Sequence, residues 1–146
     1  MNRKLVIIVL LLLVLTCVRI FSGIIYAVQA TGKIVRDAYA SDWTTEFVIA
    51  HLRANDNRWP TGWHDLKDEF DTLAAPQQYA WTFTELKDRV WLDWDADPQQ
   101  IAISDPLQIV FRLRSGRRAS YGGDPNERIR DRNQRGQASL MSELRV

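Results

Sequence analysis

Residues 5–28 read LVIIVLLLLVLTCVRIFSGIIYAV, and the rest of the chain is organised around this stretch. Its 24 residues include a single charged residue, Arg19, and they follow the basic tetrapeptide of residues 1–4. A helix of this length rises about 36 Å, which is enough to cross a hydrocarbon core of about 30 Å. We therefore expect residues 1–4 to be a cytoplasmic tail and residues 5–28 to be a single-pass transmembrane helix.

The same stretch also resembles a signal peptide, because a basic segment precedes an apolar run. The motif Val28-Gln29-Ala30 offers a cleavage site, but it lies far beyond the first apolar run. We favour a retained signal-anchor. Cleavage after Ala30 and lipidation at Cys17 are the alternatives.

The orientation of the span follows from the short basic N-terminus, which is typical of a segment kept inside. Long domains after a span translocate largely regardless of their charge. The sequence therefore predicts a cell-membrane protein with a cytoplasmic N-terminus and an extracytoplasmic domain.

Arg19 is the unusual residue of the span. It meets the outer headgroups if the span ends early. Otherwise it is a buried charge that pairs with a partner helix, as ionisable residues within membranes usually face protein. Arg19 is thus a candidate membrane partner contact.

The charges fall into three blocks. Residues 1–36 carry a net +5, residues 37–111 a net −9 and residues 112–146 a net +5. This segregation predicts electrostatic docking within one chain or between copies, although separate solvated faces would give the same pattern. Since Cys17 is the only cysteine, the soluble part has no disulfide and depends on packing.

The helical pattern continues past the apolar stretch. Apolar residues recur at steps of three and four from Val35 to Ala54, with a polar face opposite that includes Asp37. The sequence predicts one helix over residues 5–54, transmembrane in its first half and amphipathic in its second, which ends at Asn55-Asp56-Asn57.

Shorter elements are predicted beyond it. Thr61 caps a short helix over residues 61–73 that ends at Pro76, and Thr82 with Glu85 forms a capping box. Alternation with a period of two then predicts strands over residues 89–95, 100–103, 107–113 and 117–121, with a turn at 115–116. The fold class is α+β, with the long helix packed on a small antiparallel sheet of three to four strands.

Residues 122–146 carry Arg128, Arg130, Arg132 and Arg135 and almost no apolar residue before Leu140. We expect this tail to be largely flexible.

The long helix, half apolar and half amphipathic, is followed by Asn55-Asp56-Asn57-Arg58-Trp59-Pro60-Thr61 and then by a short helix and strands. This order resembles type IV pilins and type II secretion pseudopilins. The resemblance implies a pilin-like extracytoplasmic domain over residues 29–121. The chain lacks the glycine of a prepilin-peptidase site and has no acid before Asp37. The implied protein is therefore a plain membrane-anchored relative of that architecture. Residues 122–127 are similar to those of uncharacterised bacterial single-span proteins.

A calcium site is the one metal site that the sequence suggests. Asp93, Asp95 and Asp97 alternate as in the start of a calcium loop, but Pro98 and Ser104 replace the glycine and glutamate of an EF-hand. The resemblance to pseudopilins, some of which bind calcium, points the same way. The alternative is a strand edge that runs into an Asp-rich turn.

No catalytic pattern is present in the sequence. It contains no G-x-S-x-G motif and no phosphate-binding glycine-rich loop, and its histidines, His51 and His64, fall on different predicted elements. The sequence predicts a protein that is not an enzyme and that has no cofactor other than the calcium just considered.

The C-terminal arginines form a candidate polyanion or docking patch. Such a run of arginines could neutralise phosphates, although nucleic acid is the less favoured partner. If the domain is outside the cytoplasm, its partners would instead be anionic lipid, cell-wall polymer, captured DNA or the acidic middle of the same or a neighbouring chain. The residues are Arg112, Arg114, Arg117, Arg118, Arg128, Arg130, Arg132 and Arg135.

These observations predict a membrane-anchored, non-enzymatic extracytoplasmic protein. Its expected partners are membrane lipid and either itself or other envelope proteins, contacted in an envelope or pilus-like assembly. The alternative is an anchored or secreted ligand-binding module that holds calcium through residues 93–97 or a polyanion through the arginines.

Overall fold

The computed structural model describes residues 3–74 and 81–143, with the backbone alone given at residues 3–6, 8, 9 and 139–143. Within these residues the chain is α+β and contains five helices and two strands. In chain order they are α1 (Arg3–Ala54), α2 (Lys67–Ala74), α3 (Phe83–Lys87), β1 (Val90–Leu92), α4 (Pro98–Ile103), β2 (Phe111–Leu113) and α5 (Pro125–Glu143). Contacts divide the chain into two units, an anchor unit of residues 1–35 and a soluble unit of residues 36–146.

The anchor unit is helical throughout its described part, because every residue of α1 before Val35 is compatible with a helix and no proline interrupts it. From Leu10 to Val28 the side chains are exposed in the isolated chain. Helix α1 is the one helix among the described residues that is long and apolar enough to span a membrane, with a mean hydropathy of 2.3 and no burial in its most apolar window. By length and composition, it is compatible with a single membrane span.

The end of α1 confirms the prediction from Asn55-Asp56-Asn57. Asp56 and Asn57 adopt left-handed backbone angles, with φ of 51° and 62°, and the amide of Asn57 donates to the carbonyl of Leu52 at 2.8 Å. Asparagine and aspartate tolerate this region better than most residues, so they end the helix at low cost.

The buried face of α1 differs from the predicted one. Phe47, Val48 and Leu52 are fully buried as predicted, but small polar residues, including Thr44 and Thr45, are buried beside them. The hydroxyl of Thr45 is satisfied inside the fold, since Thr45 Oγ1 donates to the carbonyl of Ser41 at 2.8 Å. Because these side chains are small, neighbouring segments can pack closely against this side of α1. The buried face of the helix therefore includes these small residues as well as part of the predicted apolar face.

The sheet is smaller than predicted. Strands β1 and β2 pair antiparallel, with Trp91 opposite Arg112, and the described residues contain no third or fourth strand. The predicted strand over residues 100–103 is instead helix α4, because Asp97 accepts a hydrogen bond from the Gln99 amide and Pro98 occupies the first turn. These two local signals outweigh a short alternating pattern.

Residues 117–121 form no strand either. Their polar groups bond to side chains of α1, as described below, in place of a β ladder.

Helices α2 and α3 precede β1. The predicted cap of α3 is confirmed, and the predicted cap of α2 is wrong. Helix α3 begins with the predicted capping box, in which Thr82 Oγ1 accepts from the Glu85 amide and Glu85 accepts from the Thr82 amide. Helix α2 begins at Lys67, six residues later than predicted, because Thr61 binds the carboxylate of Asp65 and residues 62–66 form turns. The predicted stop at Pro76 lies outside the described residues.

The C-terminal segment also differs from the prediction. Residues 125–143 form helix α5 where a largely flexible tail was expected. Ile129 and Asn133 are fully buried, so this helix packs despite its high content of arginine. Ile129 is one of very few apolar residues in the segment. A single apolar residue forms no periodic pattern, so the sequence did not predict this helix.

The core of the soluble unit is formed by the second half of α1, both strands and the helices around them. Its fully buried large side chains include Phe47, Leu66, Leu86, Val110 and Ile129. Edge-to-face aromatic pairs border it, with Trp63 and Trp94 rings 5.3 Å apart and Phe47 and Phe70 rings 5.7 Å apart. Most of the tryptophans thus stabilise this core, which has no disulfide.

Candidate functional site

Two aspartates of α1 bind the segment that follows β2. Asp37 is only 3% exposed, and its carboxylate accepts from Ser115 Oγ at 2.8 Å, from Arg117 at 2.9 Å and from Arg89 at 3.2 Å. The predicted polar, outward position of Asp37 is therefore wrong, because these partners from distant parts of the chain surround it and replace water.

Asp42 is the second anchor point. Its carboxylate accepts from Ser120 Oγ and the Tyr121 amide, both at 2.7 Å, from the Gly122 amide at 3.0 Å and from Arg128 at 3.1 Å. Arg128 also forms an ion pair with Glu46 one turn further along α1. Together, Asp37 and Asp42 fix residues 115–122 along one side of the helix.

The start of α5 is held by a buried amide. Asn126 Oδ1 accepts from the amides of Val110 and Phe111, both at 2.9 Å, and Nδ2 donates to the Phe111 carbonyl at 3.2 Å. The asparagine therefore pairs with the backbone of β2 much as another strand would. No periodic pattern marks such a residue, and the sequence analysis did not identify it.

Some of these contacts join the acidic and basic blocks within one chain. Of the eight predicted patch arginines, Arg117 and Arg128 form ion pairs with acids of α1. Arg112 lies over the Trp91 ring at 5.2 Å, and Arg114 donates to the Val90 carbonyl at 3.0 Å.

The other four predicted arginines differ in exposure and contacts. Arg118 is exposed, Arg135 donates to the Asp131 carbonyl of its own helix at 3.3 Å, and Arg130 and Arg132 are partly buried on α5.

A cleft of about 680 Å³ lies between β2 and residues 116–126, beside Ser41 of α1. Its apolar lining includes Leu107, Ile109 and Phe111, and its cationic lining consists of Arg112, Arg117 and Arg118. Ile109 is 42% exposed, which leaves an apolar side chain open to a partner. No local sequence pattern marks this cleft, because its walls come from three separate segments.

The predicted calcium ligands do not converge. Asp93 Oδ1 accepts from the Asp95 amide at 3.3 Å, and Asp97 Oδ1 accepts from the Gln99 amide at 2.8 Å as the cap of α4. Within residues 3–74 and 81–143, no three acidic, histidine or cysteine side chains form a group suited to a metal ion. Asp93 and Asp97 each accept a local backbone hydrogen bond, which fits the alternative of a strand edge that runs into an Asp-rich turn.

The two histidines are also separate. His51 lies 3.3 Å from Glu69, with Asn55 at 3.2 Å from the same ring nitrogen, and His64 lies 3.0 Å from Asp65.

Two carboxyl groups outside the cleft, those of Asp65 and Glu85, have lowered pKa values. The hydrogen bond from the Thr61 amide lowers the pKa of Asp65, and that from the Thr82 amide lowers the pKa of Glu85. Both groups serve turns or helix starts, since a carboxylate that accepts backbone N–H bonds is stabilised in its charged form.

Comparison of the chain with known protein families, with curated proteins and with solved structures finds no match in any of the three.

Proposed function

We propose that this chain is a single-pass membrane protein without catalytic activity that acts outside the cytoplasm, through protein–protein contacts in an envelope or pilus-like assembly. Arg19 in the uncovered apolar part of α1 carries the proposal. Residues 1–36 contain no acid, so the anchor unit offers Arg19 no carboxylate. An arginine at the centre of a membrane helix costs about 2.5–3.5 kcal/mol on insertion scales, and a carboxylate on a partner helix offsets that cost.

Blue-native electrophoresis of the full chain, extracted from membranes in mild detergent, tests this proposal. We expect the wild type to migrate as a complex and Arg19→Leu to migrate as a smaller species. Thr16→Leu is the matched control, because the Thr16 hydroxyl already donates to the Leu12 carbonyl within the helix. A wild-type monomer, or a complex that Arg19→Leu leaves intact, would contradict the proposal.

The cleft beside β2 is the proposed contact surface of the soluble unit. Its apolar wall and cationic rim suit a protein segment that brings apolar and acidic side chains together, since interfaces combine a buried apolar centre with a polar rim. A pilin-like fold belongs to the same proposal. It is supported by the long N-terminal helix, the loop of residues 55–57 and the small antiparallel sheet.

An anchored or secreted ligand-binding module is the second candidate. The exposed Arg118 at the cleft favours a polyanion as its ligand, whereas the local hydrogen bonds of Asp93 and Asp97 disfavour calcium. Isothermal calorimetry of the full chain in detergent, with DNA as the polyanion probe and with calcium in a separate titration, tests it. Heat of binding in the DNA titration would support the module, and flat traces in both would eliminate it.

A further inference from the structure

We propose that the soluble unit docks on anionic phospholipid headgroups through one surface. This juxtamembrane surface consists of the exposed side chains of Arg36, Tyr39, Arg114, Arg118 and Tyr121. The inference goes beyond the protein contacts proposed above, because its partner is the lipid and its residues lie outside the transmembrane stretch.

Chain order places this surface where the soluble unit begins. Arg36 is the first residue of that unit and follows Val28, the last residue of the apolar stretch, by eight residues of helix α1. A surface that includes Arg36 and Asp37 therefore lies at the end of the soluble unit where the chain enters it.

The structure gathers positive charge at that end from three separate parts of the sequence. Arg36 comes from α1, Arg89 precedes β1, and Arg114, Arg117 and Arg118 follow β2. Asp37, buried between Arg89 and Arg117, neutralises one charge of that pair.

Glu85 and the exposed Asp88, which precedes Arg89, are further acids near these arginines, and Arg36 and Arg89 both interact electrostatically with Glu85. Five arginines therefore face three carboxylates, those of Asp37, Glu85 and Asp88. Asp42 is paired with Arg128. The excess positive charge complements an anionic headgroup layer, which attracts basic residues close to it.

Aromatic side chains lie beside these charges. The rings of Tyr39 and Tyr121 are 5.3 Å apart, and their residues are 42% and 63% exposed. Tyrosine is enriched at the headgroup level of membranes, because its ring is apolar and its hydroxyl forms hydrogen bonds. The partly buried Trp81, on which Arg89 stacks at 4.9 Å, extends the aromatic group inward.

The loop that carries most of this surface is held in place before any lipid binds. Asp37 fixes it at Ser115 and Arg117, and Asp42 fixes it at Ser120, Tyr121 and Gly122. Docking therefore requires little ordering of the loop, and such preorganisation lowers the entropic cost of binding.

Hydrogen exchange of the full chain tests the proposal in nanodiscs that hold a single copy each, which excludes contact with a second copy. Discs of phosphatidylcholine alone are compared with discs that also contain phosphatidylglycerol. We expect exchange over residues 114–122 to slow when the anionic lipid is present and to recover at high salt. Residues 55–61, which belong to another loop, serve as the internal reference.

The variant Arg36→Gln/Arg114→Gln removes two charges of the surface and none of the arginines that line the cleft. We expect it to lose most of the lipid-dependent slowing, since each arginine near an anionic surface contributes roughly fivefold to the docked population. Arg36→Lys/Arg114→Lys should restore it, and an unchanged thermal melt in phosphatidylcholine discs shows that both variants fold. Equal exchange in the two lipid compositions, or a slowing that the glutamine variant retains, would overturn the proposal.

Discussion

Asp37 is the residue on which the arginine contacts of the soluble unit depend most. Its buried carboxylate accepts bonds from Arg89, Ser115 and Arg117, which join the first turn of the unit to both strands. Asp37 is thus the acid of α1 that pairs with both Arg89 and Arg117.

We expect Asp37→Asn to lower the free energy of unfolding by about 2–3 kcal/mol, because it removes charged partners and leaves two guanidinium groups uncompensated. Urea unfolding of the full chain in detergent, followed by tryptophan fluorescence, measures this change. Asp68→Asn, at an exposed position of α2, is the control and should change stability by less than about 0.5 kcal/mol. Equal effects of the two substitutions would mean that Asp37 has no special structural role.

At the scale of elements, the caps of α3 and α4 explain where short helices begin. Thr82 and Glu85 satisfy each other's backbone amides at α3, and Asp97 with Pro98 begins α4. Helices of five and six residues have little stability of their own, so these caps and the buried Leu86 and Ile101 determine that they form.

The cap of α3 predicts a pH dependence. The pKa of Glu85 is lowered in the folded state, so its charged form stabilises the fold above the ordinary value of 4.5. That contribution is lost as the pH falls below 4.5 and through the lowered pKa. We expect wild type to be more stable than Glu85→Gln at neutral pH and the difference to shrink in acid. Urea unfolding of both proteins across this range measures it, and a difference that is constant with pH would contradict the assignment.

The cap of α4 predicts a different result for the two neighbouring aspartates. Asp97→Ala should cost about 1 kcal/mol, as loss of a helix cap usually does. Asp95→Ala should cost much less, since no helix depends on its carboxylate. Thermal unfolding of both variants, with calcium and with a chelator, separates a cap from a metal ligand. A loss of stability in Asp97→Ala that occurs only when calcium is present would restore the metal interpretation.

At the scale of the whole molecule, the cleft beside β2 offers an apolar surface that the described residues leave open. Ile109 lines it, whereas Ile103, which is 69% exposed, does not. The two isoleucines therefore form a matched pair for testing whether the cleft is the contact surface.

We expect Ile109→Arg to weaken association by roughly thirtyfold, the equivalent of about 2 kcal/mol for a buried isoleucine side chain. Ile103→Arg should leave association unchanged. Chemical cross-linking of the full chain in native membranes, compared at matched expression levels, measures both effects. If the two variants lose cross-linked product to the same extent, then general surface charge matters and the cleft does not.

The sequence by itself determined the features that depend on neighbouring residues. The uninterrupted helix α1, its end at Asn55-Asp56-Asn57 and the capping box at Thr82 and Glu85 were all predicted, because propensity, turn chemistry and capping act over a few residues. The centres of β1 and β2 were also predicted from their alternating side chains.

Only the tertiary structure decided the features that join distant residues. It buried Asp37, paired Asn126 with β2, ordered α5 around Ile129 and formed the cleft from separate segments. A polar residue that is paired across 80 positions has the same local pattern as one that faces water. Such contacts form because desolvated charges and amides require partners, and the fold as a whole determines which partners are within reach.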